Sequence, residues 1–284
     1  MDRYTRDVDI VLLRKRKKRR RQLIKFIAFM FIVGTAVMLY SKRDVWFPKL
    51  EGIGSRFQSV KSNGELAEGN FPLSISGGID YQTRNLNGYL AILSDAYLYI
   101  YNDNGELYEE RQHAYSNAML QTAGKKAMVY ESGGNRFRVE SRSKIIYSKK
   151  LEDNIIFARL SDDGRAAVIT SSETYICRLI VYDESGEEIY TRNCVERVTD
   201  LAFNEKATGC VLATADAGGG YVYSKIISVS FDSKKDNWVS EPLDTLCLKL
   251  YGGESGILVI GDTKYAYYNS KGEMQKEYEY PAKL

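Results

Sequence analysis

Four carboxylates lie within six residues of the stretch YDESGEEIY, Tyr182 to Tyr190, around a single glycine. Such a cluster could bind a cation or exchange protons. Two related stretches, YNDNGE from Tyr101 and YNSKGE from Tyr268, keep the Tyr, Asn/Asp, Gly and Glu but replace other acids with Asn, Ser and Lys. Acids that bind a metal ion or transfer protons would not be replaced by Asn, Ser or Lys in the other copies of the motif. Asn or Asp caps a turn and Gly supplies a positive φ, so the three copies predict β-hairpin turns.

Other chemistry-bearing residues form no catalytic or metal-binding pattern. His113 is the single histidine, so a Cys/His zinc site of the usual spacing is excluded, and we expect a polar core or loop residue there. The paired acids Asp162 and Asp163 are predicted to be solvated turn residues. The glycine-rich DAGGGYVYSK, Asp216 to Lys225, predicts a long hairpin tip rather than a phosphate cradle. We therefore expect no catalytic, cofactor-binding or metal-binding residues.

The four cysteines are Cys177, Cys194, Cys210 and Cys247, and none forms a Cys-x-x-Cys pair. Cys177 and Cys194 flank a predicted hairpin almost symmetrically, which leaves two alternatives open. One is a cross-strand disulfide. The other is a pair of separate buried thiols, because a one-residue bulge in the turn is expected to put the two side chains on opposite faces.

Residues 23–40, LIKFIAFMFIVGTAVMLY, contain one charge, Lys25. Eighteen helical residues reach about 27 Å, the thickness of a bilayer core, so the stretch predicts a transmembrane helix. The basic cluster from Arg14 to Arg21 places residues 1–22 in the cytoplasm and everything after Ser41 outside. A cleaved secretory signal is the alternative, but the apolar run is long and no Ala-x-Ala follows it.

The charge of the chain is divided along its length. The first 25 residues carry eleven Lys/Arg and three Asp, a net +8, which leaves −5 for the rest. The basic tail beside the predicted helix indicates attraction to anionic lipid and needs no nucleic acid to explain it. Residues 41–70 lack sustained periodicity and are predicted to be a linker or stalk, with Trp46 and Phe47 as interfacial anchors.

A second motif recurs with a regular spacing. AMLQTAGKKAMVYES, ARLSDDGRAAVITSS, AFNEKATGCVLATAD and LKLYGGESGILVIGD begin 40, 44 and 46 residues apart. Weaker copies of the first turn, around Ser143 and Ser233, fill the gaps between the strong ones. A period of 40 to 46 residues with two hairpins per unit predicts four antiparallel strands per repeat, as in a β-propeller blade. The apolar runs AAVI, AMVY, CVLA and ILVI are expected to be the buried strands.

The predicted fold is therefore all-β: a propeller of about five four-stranded blades in residues 71–284, preceded by one transmembrane helix. Counted from Gly88, the chain holds about four and a half units. Either the segment FPLSISGGIDYQTR, from Phe71, completes the last blade, or the array is open or truncated.

Part of the sequence resembles known propellers. LSDDGRAAVITS is similar to the second-strand signature of WD-repeat-like and quinoprotein-like (PQQ-like) propellers, although no Gly-His or Trp-Asp dipeptide supports a strict WD pattern. The basic tail, RQHAYSNAMLQTAGKKAMVYESGGNRFRVES and YSKKLEDNIIFARLSDDG resemble a bacterial family of single-pass membrane proteins, the domain of unknown function 5711. This resemblance implies an extracytoplasmic propeller and supplies no catalytic residues.

Function follows less directly from these patterns. We expect a membrane-anchored binding or scaffold module, not an enzyme, whose partner is a protein or a cell-envelope polymer. The alternative is a propeller enzyme, a hydrolase or a quinone-dependent dehydrogenase, with its site at the central channel. The predicted first strands offer few charges for that purpose, mainly Arg159 and Lys249.

Overall fold

The computed structural model describes residues 80–283. These residues belong to one compact unit of the chain. The predicted tail (1–22), transmembrane helix (23–40) and linker (41–70) fall outside them. Within residues 80–283, no helix has the length and hydrophobicity required to cross a bilayer.

Twenty strands account for the regular structure of the described residues. They are β1 (Gln82–Leu86), β2 (Tyr89–Leu93), β3 (Tyr97–Tyr101), β4 (Leu107–Gln112), β5 (Ala118–Ala123), β6 (Lys126–Glu131), β7 (Arg136–Ser141), β8 (Ile145–Lys150), β9 (Ile155–Leu160), β10 (Ala166–Thr170), β11 (Cys177–Tyr182), β12 (Glu188–Cys194), β13 (Arg197–Phe203), β14 (Gly209–Gly218), β15 (Tyr221–Ser230), β16 (Asp236–Val239), β17 (Cys247–Gly253), β18 (Gly256–Gly261), β19 (Lys264–Tyr268) and β20 (Met274–Glu279).

Each run of four consecutive strands forms one antiparallel sheet, giving sheets 1 to 5 in chain order. The first strands of neighbouring sheets lie side by side: β1 beside β5, β5 beside β9, and β13 beside β17. The predicted repeat of four strands is confirmed. The last three residues of the FPLSISGGIDYQTR segment lie in β1, the first strand of sheet 1, whereas the last sheet is formed by β17 to β20; among the described residues the segment therefore does not complete the last blade.

The hydrophobic core lies between successive sheets. Four clusters of buried side chains join sheet 1 to 2, 2 to 3, 3 to 4 and 4 to 5. The second and third strands of each sheet are the inner ones and hold most of the buried residues, and every residue of β10 is buried. Their continuous apolar runs follow from this burial, because both faces of an inner strand meet a neighbouring sheet.

The predicted turns form between the third and fourth strands. In each strong copy, one side-chain Oδ1 accepts backbone N–H groups two and four residues later at 2.8–3.0 Å; the acceptors are Asn102, Asp183 and Asn269. The glycine has a positive φ, as at Gly186 (91°). A register shift follows in the adjoining strands of all three hairpins. The weaker copies, near Ser143 and Ser233, are the corresponding turns of sheets 2 and 4.

The cysteine register corrects one expectation. A one-residue bulge is present in the β11–β12 hairpin, between Val181 and Tyr182, but it does not separate the thiols. Before the shift Tyr182 pairs with Glu188, and beyond it Cys177 pairs directly with Cys194. The bulge therefore brings the two cysteines opposite each other on one face.

Candidate functional site

The first strands of sheets 3, 4 and 5 carry a charged cluster. Arg159 of β9 donates from Nη2 to Oδ1 of Asp200 on β13, and Lys249 of β17 places its Nζ 3.4 Å from Oδ2 of the same carboxylate. The backbone N–H of Leu250 also donates to Oδ2, at 2.8 Å. Asp200 is fully buried, so its two oxygens are used to connect three sheets.

Close backbone packing holds this cluster in place. A Cβ on Gly252 would lie 2.3 Å from the carbonyl oxygen of Phe203, so β13 and β17 approach more closely than any larger residue permits. Arg165 donates from Nη1 to the carbonyl oxygen of Ala207, which ties the β9–β10 hairpin to the β13–β14 hairpin. Ala207 has a φ of +49°, in the left-handed region that residues other than glycine rarely adopt. These contacts join β13 to β17 and the β9–β10 hairpin to the β13–β14 hairpin.

A cavity of about 680 Å³ opens where these strands end. We call this the turn end, because it carries the β9–β10, β13–β14 and β17–β18 hairpins. Leu160, Leu201 and Leu250 line the cavity together with Arg159 and Lys249. Its remaining polar lining comes from the hairpins and includes Ser161, Asp162, Asp163, Asn204, Glu205, Lys206 and Glu254.

The acids at the rim of the cavity differ in whether they accept hydrogen bonds within their own turn. Asp163 accepts hydrogen bonds from the Ser161 hydroxyl and, at 3.4 Å, from the backbone N–H of Arg165. Its carboxylate therefore caps the β9–β10 turn in which it lies. Asp162, Glu205 and Glu254 are exposed. Asp162 and Asp163 are thus turn acids, as expected, and the structure also brings them beside Glu205 and Glu254 at one opening, which their separation in sequence did not predict.

His113 serves the structure of the link between sheets 1 and 2. Its Nε2 lies 3.0 Å from the carbonyl oxygen of Ser94, and Tyr115 donates its backbone N–H toward Nδ1 at 3.4 Å. These partners define a neutral imidazole with Nε2 protonated. Burial lowers the pKa of His113, which favours that neutral form. The expectation of a polar core residue is confirmed.

Sequence reasoning missed a buried ionic cluster between sheets 1 and 2. Glu140 is fully buried and accepts from Arg111 Nε at 2.6 Å and from Arg138 Nε at 3.2 Å. Arg138 also donates to the carbonyl oxygen of Gln112 at 2.7 Å. The signal was available: Arg138 and Glu140 alternate with Phe137 and Val139 in the strand RFRVES, which places the two charges on one face.

The long β14–β15 hairpin projects at the end of the sheets opposite the turn end. Tyr221 at its tip is 71% exposed, whereas the Tyr223 hydroxyl donates to Asp216 at 2.9 Å. A second cavity, of about 580 Å³, lies beside this hairpin and is lined in part by Ile176, Val195 and Val222. The hairpin predicted from DAGGGYVYSK is confirmed, with Gly219 and Gly220 at positive φ in its turn.

The acids of YDESGEEIY lie in and beside the β11–β12 turn. Burial opposes ionisation of Asp183, but hydrogen bonds from Ser185 and from the backbone of Glu187 hold its pKa below the usual range. Within residues 80–283, no group of three His, Cys, Asp or Glu side chains could hold a metal ion.

The architecture defines the class of protein. Consecutive four-stranded antiparallel meanders, with their first strands adjacent and their faces packed together, are the blades of a β-propeller. The chain belongs to the family of unknown function DUF5711, whose family model matches residues 72–283.

No curated protein matches the sequence significantly. Among solved structures, the chain is similar to the Pan2 WD40 domain of Neurospora crassa, with 9% identity and a TM-score of 0.49, over 66% of this chain and 61% of that one. It is also similar to BBS1N in complex with ARL6DN, with 14% identity and a TM-score of 0.49, over 72% and 66% of the two chains. The chain thus spans less than two thirds of either structure.

Proposed function

We propose that this protein is a membrane-anchored, extracytoplasmic scaffold that binds a protein or cell-envelope component through the turn end of sheets 3 to 5. Propellers hold loops on a stiff support, so their function is set by which groups the loops present. Here the rim offers several carboxylates around a floor of three leucines beside Arg159 and Lys249. This arrangement suits a polar or basic segment of a partner.

The burial and pairing of Asp200 are the observation that supports a binding role over catalysis. The Asp200 carboxylate is paired with both central cations of sheets 3 to 5, and its two oxygens are occupied by Arg159, Lys249 and a backbone N–H. A general base needs a free lone pair within reach of substrate, and this carboxylate has no solvent exposure. The exposed rim side chains remain available for contacts.

Photo-crosslinking in the native membrane tests the binding role. A photo-reactive amino acid at Glu205, on the rim, is compared with one at Glu173, an exposed residue of the β10–β11 loop at the opposite end. We expect one envelope component to be captured from Glu205 and not from Glu173, with capture lost when Glu254→Lys is added. Equal capture from both positions, or none, contradicts the proposal.

The location is a separate part of the proposal and rests on residues 23–40 and the basic tail. Alkaline extraction is expected to leave the full chain in the membrane and to release a chain lacking residues 1–40. Protease added to intact cells is expected to digest the propeller and spare an N-terminal tag. Protection of the propeller under those conditions refutes the orientation.

A propeller enzyme is the second candidate, and the first-strand position of Arg159, Asp200 and Lys249 is the observation that favours it. These residues lie where a central-channel site would be, and they line the 680 Å³ cavity or lie directly beside it. Turnover of a hydrolase or dehydrogenase substrate by the purified chain, abolished in Lys249→Met, would support this candidate over the scaffold.

A further inference from the structure

Cys177 and Cys194 are the only two of the four described cysteines that face each other across a strand pair. Cys177 begins β11, Cys194 ends β12, and the two are direct register partners. Cys210 is paired with Phe203 and Val229, and Cys247 with Gly261. All four are buried free thiols in this structure.

Direct register partners have the separation that a disulfide needs. Opposite residues in an antiparallel pair have Cα atoms roughly 4.5 to 5.5 Å apart. Disulfide-bonded cysteines have Cα atoms about 4.4 to 6.8 Å apart, so the backbone does not have to move. Both thiols lie in the core cluster between sheets 3 and 4, where Cys177 is 2% exposed and Cys194 is fully buried.

The surroundings favour thiolate chemistry at this pair. Arg192 places its Nη1 3.2 Å from the sulfur of Cys194, and Asp236 fixes that guanidinium through two contacts of 3.2 Å. A hydrogen bond with Cys194, opposed by burial, lowers the pKa of Cys177 to about 7, while the pKa of Cys194 is raised. Cys177 is therefore the thiol that attacks first in thiol–disulfide exchange, and the Arg192 guanidinium beside Cys194 favours ionisation of the second sulfur.

The pair lies at the open end of its hairpin, beside a cavity. The flanking residues Ile176 and Val195 are 51% and 67% exposed, although the cysteines are buried. Both flanking residues, with Glu196, line the 580 Å³ cavity at the end opposite the turn end. Opening the last register pair of β11 and β12 would therefore present a sulfur to a molecule in that cavity.

We propose that Cys177 and Cys194 form a reversible cross-strand disulfide by exchange with an external disulfide, either a small molecule or an oxidised dithiol protein. The Cys177 thiolate attacks one sulfur of the external disulfide, forms a mixed disulfide and expels one thiolate. The Cys194 thiolate then attacks the Cys177 sulfur and expels the second. Two electrons pass to the oxidant, and the two protein thiol protons end on its two sulfurs.

The bond would close a loop of sixteen intervening residues and fix the end of sheet 3 that borders the 580 Å³ cavity. Cross-linking a loop of this length restricts the unfolded chain and raises stability. The proposal concerns the opposite end of the propeller from the turn end, and it stands or falls independently of the binding role.

Peptide mapping of the purified full-length chain tests the proposal. The chain is equilibrated with oxidised glutathione, alkylated and digested with trypsin, which places Cys177 in peptide 166–178 and Cys194 in peptide 193–197. We expect two of the four thiols to be lost and these two peptides to be joined. We also expect the temperature of unfolding to rise, and dithiothreitol to reverse both changes.

Matched variants separate the pair from the other thiols. Cys210→Ser should leave the linked peptides intact, whereas Cys194→Ser should trap Cys177 as a stable glutathione adduct and abolish the temperature shift. The proposal is overturned if all four thiols of the folded wild-type chain stay reduced while the urea-unfolded chain reacts, or if Cys177 is found linked to Cys210. Should Cys194→Ser fail to fold, the wild-type peptide map still decides.

Discussion

Replacing Asp200 with Ala should be among the most damaging single changes in the propeller. The side chain is 1% exposed and joins Arg159 to Lys249 across three sheets. Removing one member of a buried ion pair costs about 3–5 kcal/mol, and a buried N–H left without an acceptor costs about 1–3 kcal/mol. Arg159 is 21% exposed and regains some hydration. We therefore expect a loss of about 4 kcal/mol for Asp200→Ala.

Two further variants test the reasoning behind that figure. Asp200→Asn keeps the size of the side chain and an acceptor for the Leu250 N–H, so it should cost less, about 2–3 kcal/mol. Lys249→Met removes an ammonium whose side chain is 39% exposed and whose Nζ is 3.4 Å from the carboxylate. Partly exposed ion pairs contribute about 0–1 kcal/mol to the free energy of unfolding, so Lys249→Met should cost no more than that.

Urea unfolding of the purified full-length variants gives the measurement, with the slope m showing whether the transition remains two-state. A double-mutant cycle of Asp200→Asn with Arg159→Leu should give a coupling of about 1–3 kcal/mol. The reasoning is refuted if Asp200→Ala lies within about 1 kcal/mol of the wild type, or if Lys249→Met costs as much as Asp200→Asn.

The other predictions concern single features of the fold. Burial lowers the pKa of His113, so the unfolded chain binds a proton at a higher pH than the folded chain does. The wild type should therefore lose stability in urea unfolding as the pH falls from 7.5 to 5.5. His113→Gln should make this dependence on pH smaller. Gly186→Ala should cost more than Gly133→Ala in thermal unfolding, because both have positive φ but only at Gly186 would a Cβ meet the Tyr147 ring, at 2.7 Å. Glu140→Leu should cost about 3–5 kcal/mol in urea unfolding, since it leaves buried Arg138 without a carboxylate and leaves Arg111 with only the more distant Glu109, at 3.6 Å.

The repeat could be predicted from sequence because its signals are local. An Asn or Asp that caps its own turn and a Gly with positive φ act within six residues, so the stretches at Tyr101, Tyr182 and Tyr268 carry the same information wherever they fold. Continuous apolar second strands such as β10 report burial on both faces in the same way. These two signals together give the number of sheets.

The contacts between sheets were not predictable in the same way. Asp200 meets Arg159 and Lys249 across 41 and 49 residues of sequence, and whether three first-strand side chains coincide depends on the stagger of each sheet against the next. Arg159 and Lys249 stand out in the sequence as charges on the predicted first strands. Asp200 does not, because an acid in TDLAF resembles any exposed strand residue until its neighbours are known.

The cysteine pair shows how one backbone irregularity decides which chemistry is possible. In an unbroken register, the pairing of Tyr182 with Glu188 would continue to place Cys177 opposite Asn193. The two sulfurs would then lie on opposite faces of sheet 3, because neighbouring residues of a strand alternate. The shift after Val181 moves the partner of Cys177 by one residue, to Cys194. The Gly186 turn and its bulge, the same device that repeats as a structural motif, therefore also set up the one thiol pair among the described residues that exchange chemistry could join.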